Sequence, residues 1–229
     1  MTETLQTKPS RFDLTTPEGR RRAEADLVWA DHGFLRSAFS NFHWIELGVM
    51  ARANQPSPEA IARYAEMGIK TILNLRGKAD TGYYALEREA CERHGIALVD
   101  QRMHSREPPS KAQVHAAKAL FESIQYPALM HCKSGADRAG AMAVLYKHFK
   151  MGSPIADAVE QLRFKYLHVR QGKTGVIDYF FQRYLEETKA NGKPFLQWVD
   201  EDYDQKAIKG AFLGEWWANL LVDKILRRE

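Results

Sequence analysis

The chain has only two cysteines, Cys91 and Cys132, in 229 residues. That is too few for a disulfide framework, and a reducing cytoplasm is the expected setting. No apolar run approaches the roughly 20 residues that span a bilayer. Met1 to Asp13 is polar, so a secretory leader is not expected. Charge of neither sign dominates: 33 Lys and Arg stand against 29 Asp and Glu, a net charge of +4. This balance favours anionic ligands mildly and lacks the basic surplus of a nucleic-acid binder. The eight histidines are scattered without metal-ligand spacing, so neither a metal nor a cofactor is expected. Repeats, low-complexity tracts and Pro/Gly/Ser-rich linkers are also missing. With 45% hydrophobic residues the chain can fill one core of generous size.

What is there alternates between strands and helices. Thr16-Pro17-Glu18 starts a helix with a capping hydroxyl, a proline at the first helical position and an acid at the positive end, running to about Ala30. Trp44–Met50 reads as one short strand, and Ile69–Leu75, β-branched and aliphatic, as a buried one. Between them Ser57-Pro58-Glu59 opens a helix that Gly68 closes. Further strands are expected over Ile96–Met103 and Ala128–His131. Helices are expected over Tyr83–His94, from Ser110 to about Ser123, over Ala139–Lys150, from Ser153-Pro154 onward, and from Thr174 or Gly175 to about Lys189. The alternation predicts an α/β fold, a central mostly parallel sheet flanked by helices, with a helical C-terminal extension. Residues 17–190 form the expected domain, 191–229 a helical extension packed on it, and 1–16 a loose arm.

The chemistry is concentrated in His131–Gly140, HCKSGADRAG. Cys132 and Arg138 enclose Lys133, Ser134, Gly135, Ala136 and Asp137, delivered by a strand and leaving into a helix. Such a turn aims successive backbone N–H groups inward at a helix N-terminus and binds a phosphate dianion without a metal. Gly135 supplies the freedom for a tight curl. Arg138 offers a planar fork to two phosphate oxygens, and its hold strengthens as charge spreads in the transition state. The helix dipole and the same arginine favour a thiolate at Cys132. That thiolate would attack phosphorus in line, giving a phosphocysteine that water hydrolyses. A buried cysteine and a solvated arginine at this spacing occur often by chance; His131, the strand, Gly135 and Gly140 around them argue against chance.

The loop resembles the active-site loop of the protein-tyrosine-phosphatase superfamily, in its dual-specificity branch. Upstream, Val49–Pro58 (VMARANQPSP) and Gly68–Gly77 (GIKTILNLRG) are similar to the R-[SA]-x-Q-P and G-[IV]-x-x-[IV]-[IV]-N-L-R stretches of compact bacterial, fungal and plant members. Together they cover about residues 48–150. The resemblance implies a cysteine phosphatase on a mostly parallel sheet between helices. Two positions depart from the pattern. Ala139 stands where members usually carry the Ser or Thr whose hydroxyl helps the cysteine leave, which implies slower phosphocysteine hydrolysis. Ala136 stands where many inositol-lipid phosphatases have Lys, so Lys133 is the loop's one further cation.

The resemblance also implies an acid for the leaving group, usually an Asp on a mobile loop after a strand, here Asp100–Pro109 (DQRMHSREPP). Asp100 falls within the expected strand and Glu107 on the Pro-bounded loop. Asp137 lies inside the cradle, as in the Cys-x-x-Gly-x-Asp-Arg pattern of some lipid and inositol phosphatases. Asp137 is favoured slightly, then Glu107, then Asp100, with bonding to loop amides the competing role for Asp137. Arg76 follows the 69–75 strand at the end where α/β proteins place ligands, and reads either as a substrate contact or as a surface ion pair.

Other signals are weaker. Gly172-Lys173-Thr174 fails as a nucleotide loop, because the first glycine of that motif would fall at Leu167. Cys91, mid-helix, reads as packing. Near the C-terminus Phe212, Trp216 and Leu220 share a helical row, with Leu213, Trp217, Leu221 and Ile225 beside it and Lys224, Arg227 and Arg228 following. A helix of this kind packs on its domain or makes peripheral contact with a membrane, here the inner face. The expected function is metal-independent phosphomonoester hydrolysis on a phosphorylated protein (Tyr, Ser or Thr) or on a phospholipid or inositol phosphate. The alternative is a catalytically weakened phosphate-binding module; an arsenate reductase would need more redox cysteines.

Overall fold

The computed structural model describes residues 11–31 and 40–226, with side chains through 218. A five-stranded sheet lies at its centre: β1 His43–Glu46, β2 Met50–Ala53, β3 Thr71–Asn74, β4 Ala97–Asp100 and β5 Ala128–His131. The strand order is β1–β2–β5–β3–β4. β2, β5, β3 and β4 run parallel, and β1 is an antiparallel edge. The segment read as one strand over Trp44–Met50 is therefore most of a hairpin, with Trp44 paired to Ala51. Gly48 turns the corner at φ +71, a left-handed conformation that glycine adopts without penalty. Alternation in so short a segment cannot reveal that the chain has doubled back.

The helices are α1 Pro17–Ala25, prolonged by a π turn over Asp26–Ala30, then α2 Pro58–Glu66, α3 Gly82–Arg93, α4 Lys111–Ser123, α5 Asp137–Phe149, a short α6 Ile155–Ala158, α7 Val176–Glu187, α8 Phe195–Glu201 and α9 Gln205–Leu226. Side chains satisfy the orphan amides at three of the expected starts. Thr16 accepts from Gly19 and Ser57 from Ala60, while Ser110 and Gln113 form a reciprocal capping box.

Strand alternation divides the core in two. Ala51, Ala53, Ile72 and Leu129 meet Ile61 and Tyr64 of α2 and Ala90 and Cys91 of α3. Met50, Leu73 and Met130 point the other way, into a larger core with Val114, Phe121, Val144, Phe180 and Phe181. Phe195, Trp198, Val199, Tyr203, Ile208 and Phe212 of the last helical stretch join that same core. Leu213 and Trp216 pack against it, whereas Trp217 is 55% exposed. The side chains of Leu220, Leu221, Lys224 and Ile225, and residues Arg227 and Arg228, lie outside the described residues. No helix among the described residues is long and apolar enough to cross a membrane. Residues 11–16, grouped in the sequence with a loose arm, contain Phe12, which is buried beside Ala23, Ala85 and Leu86.

Candidate active site

β5 ends at His131 and α5 begins at Asp137, so Cys132–Ala136 connect them at the C-terminal edge of the parallel strands. Four consecutive carbonyls of this connection are held from outside. Lys133 O accepts from the Gln55 amide at 3.2 Å. Ser134 O accepts from Asn41 Nδ2 at 2.9 Å, and Gly135 O and Ala136 O from Arg52 Nη2 at 2.7 and 2.8 Å. In a planar trans peptide the N–H points opposite to the C=O. The amides of Ser134, Gly135, Ala136 and Asp137 are thereby turned to the loop's interior. Gly135 has φ +74, and a Cβ there would lie 2.7 Å from the Ala53 carbonyl carbon, so any other residue is excluded twice. Cys132 is buried, and the buried Arg138 Nε has no partner among the described residues, a donor that an anion in the loop would satisfy.

Arg52 is the pivot of this arrangement, and its role does not show in the stretch VMARANQPSP that contains it. It is fully buried on β2, where its side chain follows Met50 into the larger core. Nη1 donates to Gln161 O and Gln161 Oε1 at 2.7 and 3.1 Å, and the guanidinium lies over the Tyr166 ring at 4.3 Å. Burial pushes its pKa down to about 10, against the opposing pull of Cys132, Tyr166 and Asp137. One signal was available: an arginine in an otherwise apolar buried strand requires acceptors inside. Asn41 acts similarly, its Nδ2 also donating to Tyr166 O at 3.0 Å.

On the other face His131 Nε2 lies 2.6 Å from Glu87 Oε1, both side chains fully buried. Glu87 accepts from Gln55 Nε2 at 3.0 Å, and Gln55 Oε1 accepts from Arg76 at 2.7 Å. Arg76 grips Asp31 with both Nη atoms at 2.8 and 2.7 Å and stacks on Tyr83. Lys133 Nζ lies 3.4 Å from Asp31, so the contacts leave the loop at His131 and return at Lys133. The Arg76 side chain is 9% exposed, its fork directed to Asp31 and Gln55.

Residues 45–175, more than half of the chain, match the family model PTP-NADK, a DSP-PTPase phosphatase fused to NAD+ kinase. The chain belongs to this family. No curated protein matches it significantly. Among solved structures, P. aeruginosa TpbA aligns over 75% of this chain and 90% of its own at 16% identity, with a TM-score of 0.49. PTPMT1 aligns over 66% and 99% at 16% identity and a TM-score of 0.48. Tk-PTP in its active form aligns over 64% and 97% at 19% identity, TM-score 0.48.

In this PTP-NADK phosphatase, a cysteine-dependent enzyme, the three acid candidates are all bonded but differ in their partners. Asp137 Oδ1 is 2.8 Å from His168 Nδ1, and His168 Nε2 is 2.6 Å from Asp178 Oδ2. Burial lowers the His168 pKa, but the two carboxylates outweigh it and raise the value to about 9. Glu107 Oε1 accepts from Lys209 Nζ at 2.6 Å, and that bond holds its pKa down. Its loop is also tied by Tyr203 OH to Pro109 O and by Gln205 Nε2 to Pro108 O, each at 2.7 Å. Asp100 ends β4 and accepts from Asn74 Nδ2 at 2.8 Å and Tyr84 OH at 2.7 Å, both neutral donors. Ala139 is fully buried, and Ser134 supplies the hydroxyl within the loop, accepting from the Ala136 amide at 3.4 Å. Cys91 is buried in α3, where burial first and Glu87 second push its thiol up to about 12, as packing requires. No spacing in the sequence pointed to His168 or Asp178.

Proposed function

We propose that the protein hydrolyses phosphomonoesters through a phosphocysteine on Cys132, without a metal. The observation that supports this most is the row of four outward-bonded carbonyls, which directs amide donors inward beside Cys132 and Arg138. These donors and Arg138 bind the phosphoryl oxygens, Cys132 attacks phosphorus, and water then releases phosphate. Asp100 is the proposed acid, ahead of Glu107 and Asp137. Protonating either of those would cost an ion pair with Lys209 or His168, whereas the partners of Asp100 are neutral. Singly phosphorylated protein side chains suit the cradle better than polyphosphoinositides: Lys133 is drawn to Asp31, and Ala136 adds no charge. Membrane contact through α9 would rest on the side bearing Trp217, and two free thiols suit the cytoplasm.

The test is hydrolysis of an aryl phosphate in chelator, abolished in Cys132→Ser and reversibly inhibited by vanadate. Full turnover by Cys132→Ser sinks the mechanism. Asp100→Asn is expected to slow alkyl phosphates far more than activated aryl phosphates, because only an alkoxide depends strongly on proton donation. Equal losses on both would return the role to Glu107 or Asp137. Faster release of phosphate from a soluble polyphosphoinositide headgroup than from a phosphopeptide would overturn the substrate assignment.

A further inference from the structure

His168 is wholly buried and bonded through both ring nitrogens to carboxylates, Asp137 of α5 and Asp178 of α7. An ionised carboxylate only accepts, so each nitrogen must carry a hydrogen, and the ring is an imidazolium by hydrogen-bond logic alone. Asp137 is also the first residue of the helix leaving the cradle, and its own amide is one of those turned to the interior. A carboxylate therefore stands on the same short loop that must accept a dianion, next to the arginine that must bind it. Uncompensated, that charge would repel phosphate and compete for Arg138. Arg163, Arg170 and Lys147 line a cavity of about 720 Å³ together with Asp178.

We propose that His168 is a positioning residue of the phosphate site: its imidazolium neutralises Asp137 and holds that carboxylate away from the bound dianion. The inference rests on the reading of the loop as a phosphate cradle. It explains how an acidic residue is tolerated inside an anion site, and why a buried histidine sits between two acids. Its value of about 9 keeps the ring charged at neutral pH and sets the alkaline limit of the device.

The experiment measures inhibition by inorganic phosphate with an aryl phosphate substrate, from pH 7.5 to 10. Wild-type affinity is expected to be level at first and to weaken above about pH 9, where phosphate stays a dianion and only the protein changes. His168→Gln should bind phosphate about tenfold or more weakly at neutral pH, the scale of one unit charge at short range in a partly buried site. The second substitution, Asp137→Asn in the His168→Gln background, should restore the affinity, an outcome that lost packing would not give. The proposal is overturned by a double variant that binds no better than folded His168→Gln. If His168→Gln does not fold, a wild-type affinity constant across the whole pH range overturns it as well. Wild-type protein that turns over the ester yet ignores phosphate and vanadate at every pH would instead overturn the underlying cradle, and this inference with it.

Discussion

Replacing Arg52 by Met keeps most of the side-chain length but removes the fork that faces the back of the cradle. Three buried acceptors, Gln161 O, Gln161 Oε1 and Gly135 O, lose a donor, while Ala136 O retains the Gly140 amide at 2.8 Å. Each acceptor left unbonded costs about 1–3 kcal/mol. Against this, the guanidinium itself is held in a site that pushes its pKa from 12.5 to about 10, and removing it relieves roughly 3 kcal/mol of unfavourable burial. The net destabilisation is about 3 kcal/mol, which for a chain of this size lowers the melting temperature by roughly 6–12 °C. Circular dichroism melting gives that number, and kcat/KM on an aryl phosphate below the transition gives the functional one. Activity should fall by more than the population of unfolded protein explains, because freed carbonyls let the opposing amides turn away from the phosphate. Arg52→Lys should recover part of the stability through the acceptors its ammonium reaches and little of the activity, since one ammonium cannot serve Gln161, Gly135 and Ala136 in the fork's geometry. Unchanged melting and unchanged kcat/KM in Arg52→Met would refute the idea that the outward bonds hold the cradle.

Other expectations are simpler. Gly135→Ala should destabilise by at least about 2 kcal/mol from its left-handed backbone and the approach to Ala53, and reduce kcat/KM by about 10²-fold or more as the amides shift; an active, stable variant would count against the described curl. Because the folded His168 pKa of about 9 lies above its unfolded value of about 6.5, the clamp's contribution of about 3 kcal/mol is complete below pH 6.5 and lost as pH rises through 9. Urea unfolding between pH 6 and 10 should show that decline, and His168→Gln should flatten it. If Ala139 slows phosphocysteine breakdown, stopped-flow traces will show a product burst, and Ala139→Ser will raise the steady rate without altering the burst rate. No burst and no acceleration would leave the missing hydroxyl without kinetic consequence.

Much of this architecture is legible in the amino-acid sequence. The sheet's parallel character follows from the alternation of short apolar strands with capped helices, and Thr16, Ser57 and Ser110 cap the helices their sequence context indicates. The loop from Cys132 to Arg138 can be placed between a strand and a helix because both neighbours are readable. The supports are not. Arg52, Asn41 and Gln55 act on carbonyls that carry no side-chain signature, so nothing in their spacing names a partner. His168 and Asp178 come from loop and helix segments brought to Asp137 only by tertiary packing. The three carboxyl candidates resist ranking by sequence for a related reason: what separates them is whether the partner is a cation, and His168 and Lys209 lie 31 and 102 residues from the acids they hold.

The outward bonds of the cradle also set the order in which the molecule can acquire its reactivity. With the bonds that anchor their donors, they join residues 93, 83, 109 and 125 positions apart: Asn41 to Ser134 and Arg52 to Gly135 in the cradle, Arg52 to Gln161 and Asn41 to Tyr166 behind it. Contacts of such separation form only after the long intervening loops have closed, late in a folding reaction and after the local helices. During synthesis Cys132 leaves the ribosome before Gln161 and Tyr166 do, so the nascent chain carries the proposed nucleophile without the frame around it. A refolding protein accordingly regains its helical signal before its first turnover, and loses the two in the opposite order as denaturant rises.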